Sequence, residues 1–586
     1  MSGDDRPADS GERRHLAAEV AFAGAVGDDE AVVGLTEQDL RAERGDDGLA
    51  ARRSRSLLQA SALPAVGTSL SRATGLLRIA ALTAALGLTE VADVYNLANT
   101  TPNILYELVL GGVLSSTLVP LFVRSLDDPD DDTASVLTTV SFVAIVALTL
   151  VLTLLAPVIN LLFALPLEGE QRTQQLALGD DLMGLLLPQV LFYGLVTLFT
   201  ALLHARRRFA PPAFAPVLTN VITAAAALIS VTWIADDRDN LQLWVLGLGT
   251  TLGVAAMAFA LVPSLRRSDL RLRWRFRPRH PAVRQLLSVS GWVVGFAAAN
   301  QVAFLIILGL AVTLEPGTLS AFTYAFAFFQ LPYGLIAVSI TTASLPELAE
   351  AATDGRSGDF RRRFTEGTSL LLAFMVPSAV GVVLLARPLV QLVLQRGSFT
   401  AADTMLTAEM LRGFAVGLPA FAVYLFVVRA FYARRDTRTP FWLNLTQNVL
   451  NVAIMFPITA ALGAAGLALA YSLSYWVIVV VALAALHRAV RRDGGDEPGA
   501  LLGRAALAAL ARSVAVGVLV GLVLLVTFEA LRPASEDRAL LEVAVGLAVG
   551  LATFAGATFL LRPSGFEPAV DRLRRGWRSR GRSMSN

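Results

Sequence analysis

The sequence predicts an all-α polytopic membrane protein with about fourteen transmembrane helices, on three observations. Of its 586 residues, 55% are hydrophobic and only 16% are charged, whereas soluble domains carry about 25% charge. Between residues 57 and 561 the apolar residues fall into successive runs, each long enough to cross a hydrocarbon core of about 30 Å as a helix. Runs such as 140–155 and 505–526 show no alternation of apolar and polar residues. A membrane strand would require that alternation, so helices satisfy the backbone here.

Residues 1–55 are rich in Asp, Glu, Arg and Gly without a sustained apolar period, and are expected to form a disordered tail. They lack the short basic start and apolar core of a signal peptide. Candidate spans follow at 57–87, 92–124, 135–165, 181–205, 211–235, 241–265, 284–314, 318–350, 365–395, 404–433, 438–461, 464–487, 505–531 and 539–561. The loops between them sort by arginine content. One side holds Arg206 to Arg208, the arginines between 266 and 284, Arg361 to Arg363, Arg434, Arg435 and Arg438, Arg488, Arg491 and Arg492, and the tail after residue 562. The other holds Glu90 and Asp93, Glu168, Glu170, Asp180 and Asp181, Asp236, Asp237 and Asp239, Glu315, Glu536 and Asp537. The positive-inside rule puts the arginine side, and with it both termini, in the cytoplasm. One loop sits awkwardly: 127–132 is acidic, yet the even count places it on the arginine side.

An internal repeat divides the bundle. Leu187-Pro188, Tyr193, Arg206-Arg207 and Thr219-Asn220-Val221 recur as Leu418-Pro419, Tyr424, Arg434-Arg435 and Asn448-Val449, in the same order and orientation. Two six-helix lobes related by an axis along the membrane normal produce such a parallel repeat, and they enclose a central substrate site. The competing explanation is chance, because Pro near a helix start and Arg at its basic end recur in many membrane proteins. The resulting organisation is a tail (1–55), an N-lobe (56–270), a C-lobe (271–495), two further spans (496–562) and a basic tail (563–586).

Ionisable side chains at membrane depth are costly and commonly line aqueous cavities. The first two spans hold Arg72, Arg78 and Glu107, with Asp93 at the outer edge. Arg72 and Arg78 are six residues apart, two turns less about 120°, and so share a broad face. Guanidinium groups bind phosphate bidentately, which makes a polar vestibule for an anionic head group one reading. The other is snorkelling, or an Arg–Glu pair that fixes helix packing. Ser69, Ser71, Thr74 and Gly75 are small enough to admit either a substrate or a neighbouring helix. Glu107 reads as a counter-ion or a protonatable coupling group, and Asp93 as a solvated residue at a loop end. In the eighth span Gln330, Pro332 and Gly334 predict a bend that borders a cavity or serves packing alone. Arg429 reads as an interface anchor.

The sequence has no cysteine, no GxxxxGK[ST], no HExxH and no Ser/His/Asp arrangement. It therefore predicts neither an enzyme nor a nucleic-acid binder, and no cofactor. Any energy input would come from the membrane potential or a monovalent ion.

The chain resembles the MurJ (MviN) family of lipid II flippases, within the multidrug/oligosaccharidyl-lipid/polysaccharide exporter superfamily. The resemblance rests on Leu70-Ser71-Arg72-Ala73-Thr74-Gly75-Leu76-Leu77-Arg78, Pro102-Asn103-Ile104-Leu105, Leu331-Pro332-Tyr333-Gly334, Gln395-Arg396-Gly397-Ser398-Phe399-Thr400, Gly417-Leu418-Pro419-Ala420-Phe421 and Asp436-Thr437-Arg438-Thr439-Pro440. It implies two six-helix lobes, two extra C-terminal helices forming a lipid-tail groove, and an inward- and outward-open cycle in the bacterial inner membrane. It also implies that Arg72, Arg78 and Asp93 match charged positions of the family and that Asn103 matches a polar cavity residue. The implied substrate is lipid II or a related polyprenyl-diphosphate glycolipid, with membrane lipids and cell-wall synthesis proteins as partners. Three departures stand out: Tyr106-Glu107 in place of Arg-Arg, Gly111 in place of an acid, and Phe326-Ala327-Phe328-Phe329-Gln330 in place of Asp-Arg-x-x-Glu. Two other readings stay open at this point: an exporter of another polyprenyl-linked glycan or amphiphile, and a non-transporting cell-wall scaffold.

Overall fold

A computed structural model describes residues 47–106, 118–126 apart from 120 and 124, 132–233, 239–493 apart from 269 and 271, 504–531 and 539–561. Glu107, Gly111, the acids at 127–131, the tail up to residue 46 and the basic C-terminal tail lie outside these residues.

Every regular element among the described residues is helical. In order they are α1 (Asp47–Leu86), α2 (Glu90–Tyr106), α3 (Thr133–Leu154), α4 (Ala156–Ala164), α5 (Gly169–Leu186), α6 (Gln189–Ala205), α7 (Ala210–Trp233), α8 (Asp239–Arg266) and α9 (Pro281–Ala311). Then follow α10 (Thr318–Pro332), a π-helical turn (Tyr333–Ala337), α11 (Val338–Thr353), α12 (Ser357–Leu394), α13 (Ala401–Ala433), α14 (Arg438–Leu462), α15 (Ala465–Asp493), α16 (Arg504–Leu531) and α17 (Ala539–Leu561). Among the described residues eleven candidate spans are long and apolar enough to cross a membrane, and α1, α2 and α9 lie at the remaining three expected spans. Large side chains such as Leu154 (71% exposed), Val526 (70%) and Leu560 (77%) stand on the outer surface. Water would penalise them; hydrocarbon does not.

Several expected boundaries move. The first helix begins at Asp47, so residues 47–55 continue it rather than belong to a disordered tail. That stretch is rich in Ala, Leu and Arg, which are strong helix formers, and contains no proline. The fourth span starts at Gly169 instead of 181 and is two helices meeting at Leu187-Pro188. There the N–H groups of Val190 and Leu191 bond back only three residues, to Leu187 and Pro188. The matching Pro419 lies inside an unbroken α13.

The chain divides into two compact units, Met1–Val302 and Ala303–Asn586. In the first, the Arg206 guanidinium donates to the Leu126 carbonyl (3.2 Å), and Arg208 donates to the carbonyl of Ser264 (3.3 Å). Arg275 pairs with Asp132. Asp132, the one described acid of that loop, therefore lies beside a cation at the arginine-rich end. At the opposite end Asn160 bonds Asp180 (2.8 Å) and Gln175 (2.9 Å), tying α4 to α5. In the second unit Arg434 lies over the Phe360 ring, 5.4 Å from its centroid. This joins the start of α12 to the end of α13.

The repeated Arg-Arg pairs adopt one local structure. Arg207 (φ 55°) and Arg435 (φ 60°) are the described non-glycine residues with left-handed backbone. In both copies the chain closes the preceding helix with the bonds of a C-terminal cap. Arg208 N–H donates to Leu203 and Asp436 N–H to Phe431, each five residues back (2.8 and 3.0 Å). Glycine usually fills that position, so arginine at both carries the same backbone cost twice.

Candidate functional site

The polar groups of the first unit converge on α1, α2, α6 and α8. Arg72 and Arg78 are both half-buried, about 9 Å apart along α1. The small residues between them serve helix packing. Asn220 Nδ2 of α7 donates to the Ser71 carbonyl (2.9 Å) and to Thr74 Oγ1 (3.2 Å). One turn earlier, a Cβ on Gly67 would sit 2.9–3.0 Å from Phe214 and Ala213. Of the two uses those residues allowed, the neighbouring helix is the one that occupies them. Asn220, a repeat residue, thereby fixes the face that α1 turns toward α7.

Tyr95 of α2 and Tyr193 of α6 lie within electrostatic range of Arg78. Tyr95 is fully buried, and its hydroxyl meets Thr250 Oγ1 of α8 at 2.7 Å. Asp93, expected at a solvated loop end, is buried in the first turn of α2, at 7% exposure. A carboxylate there gains from the positive end of the helix dipole. Asn96 is buried one turn further on. Asn103 is exposed on α2 just past Pro102, and Glu107 lies outside the described residues.

The second unit is built differently. The expected bend at Pro332 and Gly334 is a π-helical turn, in which the Val338 N–H reaches back five residues to the Tyr333 carbonyl. Such turns insert a residue into the helical ladder and recur at functional sites. Gln330 is half-buried immediately before it. The residues standing where the family carries charges pack as rings. Phe326 and Phe329 lie 5.4 and 5.5 Å from Phe414 of α13, and 5.7 and 6.1 Å from Tyr471 of α15. Tyr333 meets Phe421 at 4.8 Å, and Tyr471 meets Tyr475 at 4.9 Å. A Cβ on Gly417 would fall 2.7 Å from the Ser472 Cα, so only glycine lets α13 and α15 approach this closely. Arg429 is half-buried, with Nη1 3.5 Å from Thr342 Oγ1 on α11.

The structure thus brings Arg78 into one cluster with residues the sequence did not single out as site groups: Tyr95 and Thr250, with Tyr193 marked only by its place in the repeat. It places Gln330, Pro332 and Gly334 together in the other unit. The signal for Tyr95 was available, because Asp93, Tyr95 and Asn96 put three polar groups into one turn of a span that continues with Asn99, Thr100, Thr101 and Asn103. Among the described residues no three His, Asp or Glu side chains gather as a metal site requires. The first unit's cluster offers guanidinium charge and hydroxyl donors, a set suited to holding an oxyanion.

Three comparisons bear on the family and fold of the chain. The family model described as lipid II flippase MurJ matches residues 82–534. A protein of Rhizobium meliloti (strain 1021), named "Probable lipid II flippase MurJ", is 27% identical over 422 residues, 71% of this chain and 78% of the relative. Among solved structures, "Lipid II flippase MurJ, inward closed conformation" superposes with a TM-score of 0.69 at 21% identity, covering 85% of this chain and 99% of that one. An inward-facing multidrug resistance MATE family transporter of the MOP superfamily shares the fold at a TM-score of 0.63 and 13% identity, covering 74% and 100%.

Proposed function

The chain belongs to the lipid II flippase MurJ family, and from that premise we propose how it holds the substrate it translocates across the bacterial inner membrane. The function is lipid II transport rather than chemistry on the substrate. The diphosphate of the undecaprenyl-linked peptidoglycan precursor is held by Arg72 and Arg78 of α1, and the precursor moves from the cytoplasmic to the outer leaflet by alternating access. The observation that carries this reading is the pair of half-buried guanidinium groups, Arg72 and Arg78, on one helix. At reduced dielectric, charge-assisted bonds from arginine to phosphate are about twice as strong as neutral ones. Asp93, buried in the first turn of α2, serves coupling to the membrane potential or to a monovalent cation. Both termini face the cytoplasm, a reading supported by the arginine-rich ends of each unit.

Complementation tests the reading. Expressed in a strain depleted of its own lipid II flippase, the full chain should restore growth and return lipid II to the outer leaflet. Arg72→Ala should lose rescue while inserting at wild-type levels. Failure of the wild-type chain to alter the leaflet distribution of lipid II would remove lipid II as the substrate. Full rescue by Arg72→Ala would remove the vestibule.

A further inference from the structure

The segment joining α8 to α9 has a pattern that the transport reading does not use. From Leu270 to Arg279 the sequence alternates: Leu270, Leu272, Trp274 and Phe276 are interleaved with Arg271, Arg273, Arg275, Arg277 and Arg279. The backbone N–H groups of Arg273 and Arg275 donate to Ser135 Oγ (3.1 Å) and Thr139 Oγ1 (3.0 Å), one turn apart on α3. Four helical residues rise about 6 Å, and two residues of extended chain cover about the same distance. Residues 272–277 therefore lie extended along α3 with side chains alternating between two faces, and Pro278-Arg279 turn the chain, the His280 N–H donating to the Arg277 carbonyl (3.1 Å).

Each face is only partly used within the protein. On the apolar side, Leu270 and Leu272 pack against the core around Leu118, Phe122, Val136 and Leu137. Trp274 meets Phe142 edge-on at 5.8 Å but remains 68% exposed, and Phe276 is 53% exposed. On the basic side, Arg275 pairs with Asp132. Arg273, Arg277 and Arg279 are exposed, and Arg277 and Arg279 line an open cavity of about 590 Å³ with Pro278 and His280. From one turn beyond Phe142 the outer surface of α3 is Val146, Leu150, Val151 and Leu154, all exposed, as a lipid-facing helix presents them. Two exposed aromatic rings beside that surface, next to exposed guanidinium groups, match the boundary between acyl chains and phosphates.

The geometry points to a binding site for anionic phospholipid head groups on residues 273–279, in the leaflet at the arginine-rich end. Trp274 and Phe276 insert at the acyl boundary, and Arg273, Arg277 and Arg279 hold the phosphodiester. The site does not depend on which substrate the protein carries.

Native mass spectrometry of the full chain released from bilayers of equal phosphatidylglycerol and phosphatidylethanolamine tests it. The wild-type chain should retain phosphatidylglycerol selectively. Each Arg→Gln change should lower that selectivity about fivefold, and R273Q/R277Q/R279Q together roughly a hundredfold, from about 1 kcal/mol per arginine near an anionic surface. W274A/F276A should weaken retention of both lipids. Millimolar inorganic phosphate should leave the lipid in place. Equal retention of the two lipids by wild type, or unchanged selectivity in the arginine variants, overturns the assignment. Full displacement by inorganic phosphate overturns it too, in favour of a free-anion site. If the triple variant fails to fold, the three single variants carry the same test.

Discussion

The two units solve the interior of a membrane bundle in different ways. In the first, α1 and α2 bring half-buried Arg72 and Arg78 and buried Asp93, Tyr95 and Asn96 inside, and helices are joined by hydrogen bonds such as Tyr95 to Thr250 and Asn220 to Ser71. In the second, the corresponding work falls to rings: Phe322, Phe326, Phe329, Phe414, Phe421 and Tyr471 form a continuous aromatic cluster among α10, α13 and α15. A polar interior keeps charge available to a ligand at the cost of desolvation. An aromatic one gains dispersion and ring–ring contacts and offers no charge. The residues at 326–330, which depart from the family's charged pattern, are part of that aromatic construction. The half-buried cations proposed to hold the substrate, Arg72 and Arg78, both lie in the first unit.

This contrast can be broken at its hubs. Phe414 touches four rings of the cluster, so Phe414→Ala should cost about 3 kcal/mol and lower the melting temperature of the purified protein markedly. A change near zero would mean that the rings are not what holds α10, α13 and α15 together. In the first unit, Asn220→Ala removes two hydrogen bonds between α7 and α1. At about 0.6 kcal/mol per interhelical bond it should cost about 1 kcal/mol, and it should reduce lipid II transport more than that loss of stability explains, because the face carrying Arg78 is no longer fixed. Equal loss of stability and transport would make Asn220 a packing residue alone.

The smallest effect concerns what the units share. Arg207→Gly and Arg435→Gly relieve a left-handed backbone and should each stabilise by about 1 kcal/mol or less, with the same sign in both units. Opposite signs, measured by thermal unfolding in detergent, would show that the two caps are not equivalent despite their matching dihedral angles.

Much of this was legible in the sequence, for identifiable reasons. Runs of apolar residues and the arginine asymmetry of loops are properties of local composition, so the spans and their alternation could be read without contacts. The repeat was legible as Arg206-Arg207 and Arg434-Arg435, although the sequence could not say that both pairs turn the chain through the left-handed region. The proline and glycine of the eighth span announced a bend, and its form is a π turn. Asp93 was misread, because a position near a helix start does not reveal whether another helix covers it. At Asp132, the described end of the acidic stretch, Arg275 from more than a hundred residues away supplies a cation that no local reading could foresee.

By itself the sequence determined the class, the order of the spans and the residues able to carry charge into them, because hydrophobic length and ionisation belong to segments. Only the tertiary structure decided which of those charges share a site. Whether Tyr95 meets Thr250, whether Ser71 and Gly75 face a ligand or α7, and whether Phe326 lines a cavity or packs on Phe414 depend on helix rotation and on pairings between distant segments. Those are set by close packing of side chains from several helices at once, and no local window of sequence contains them.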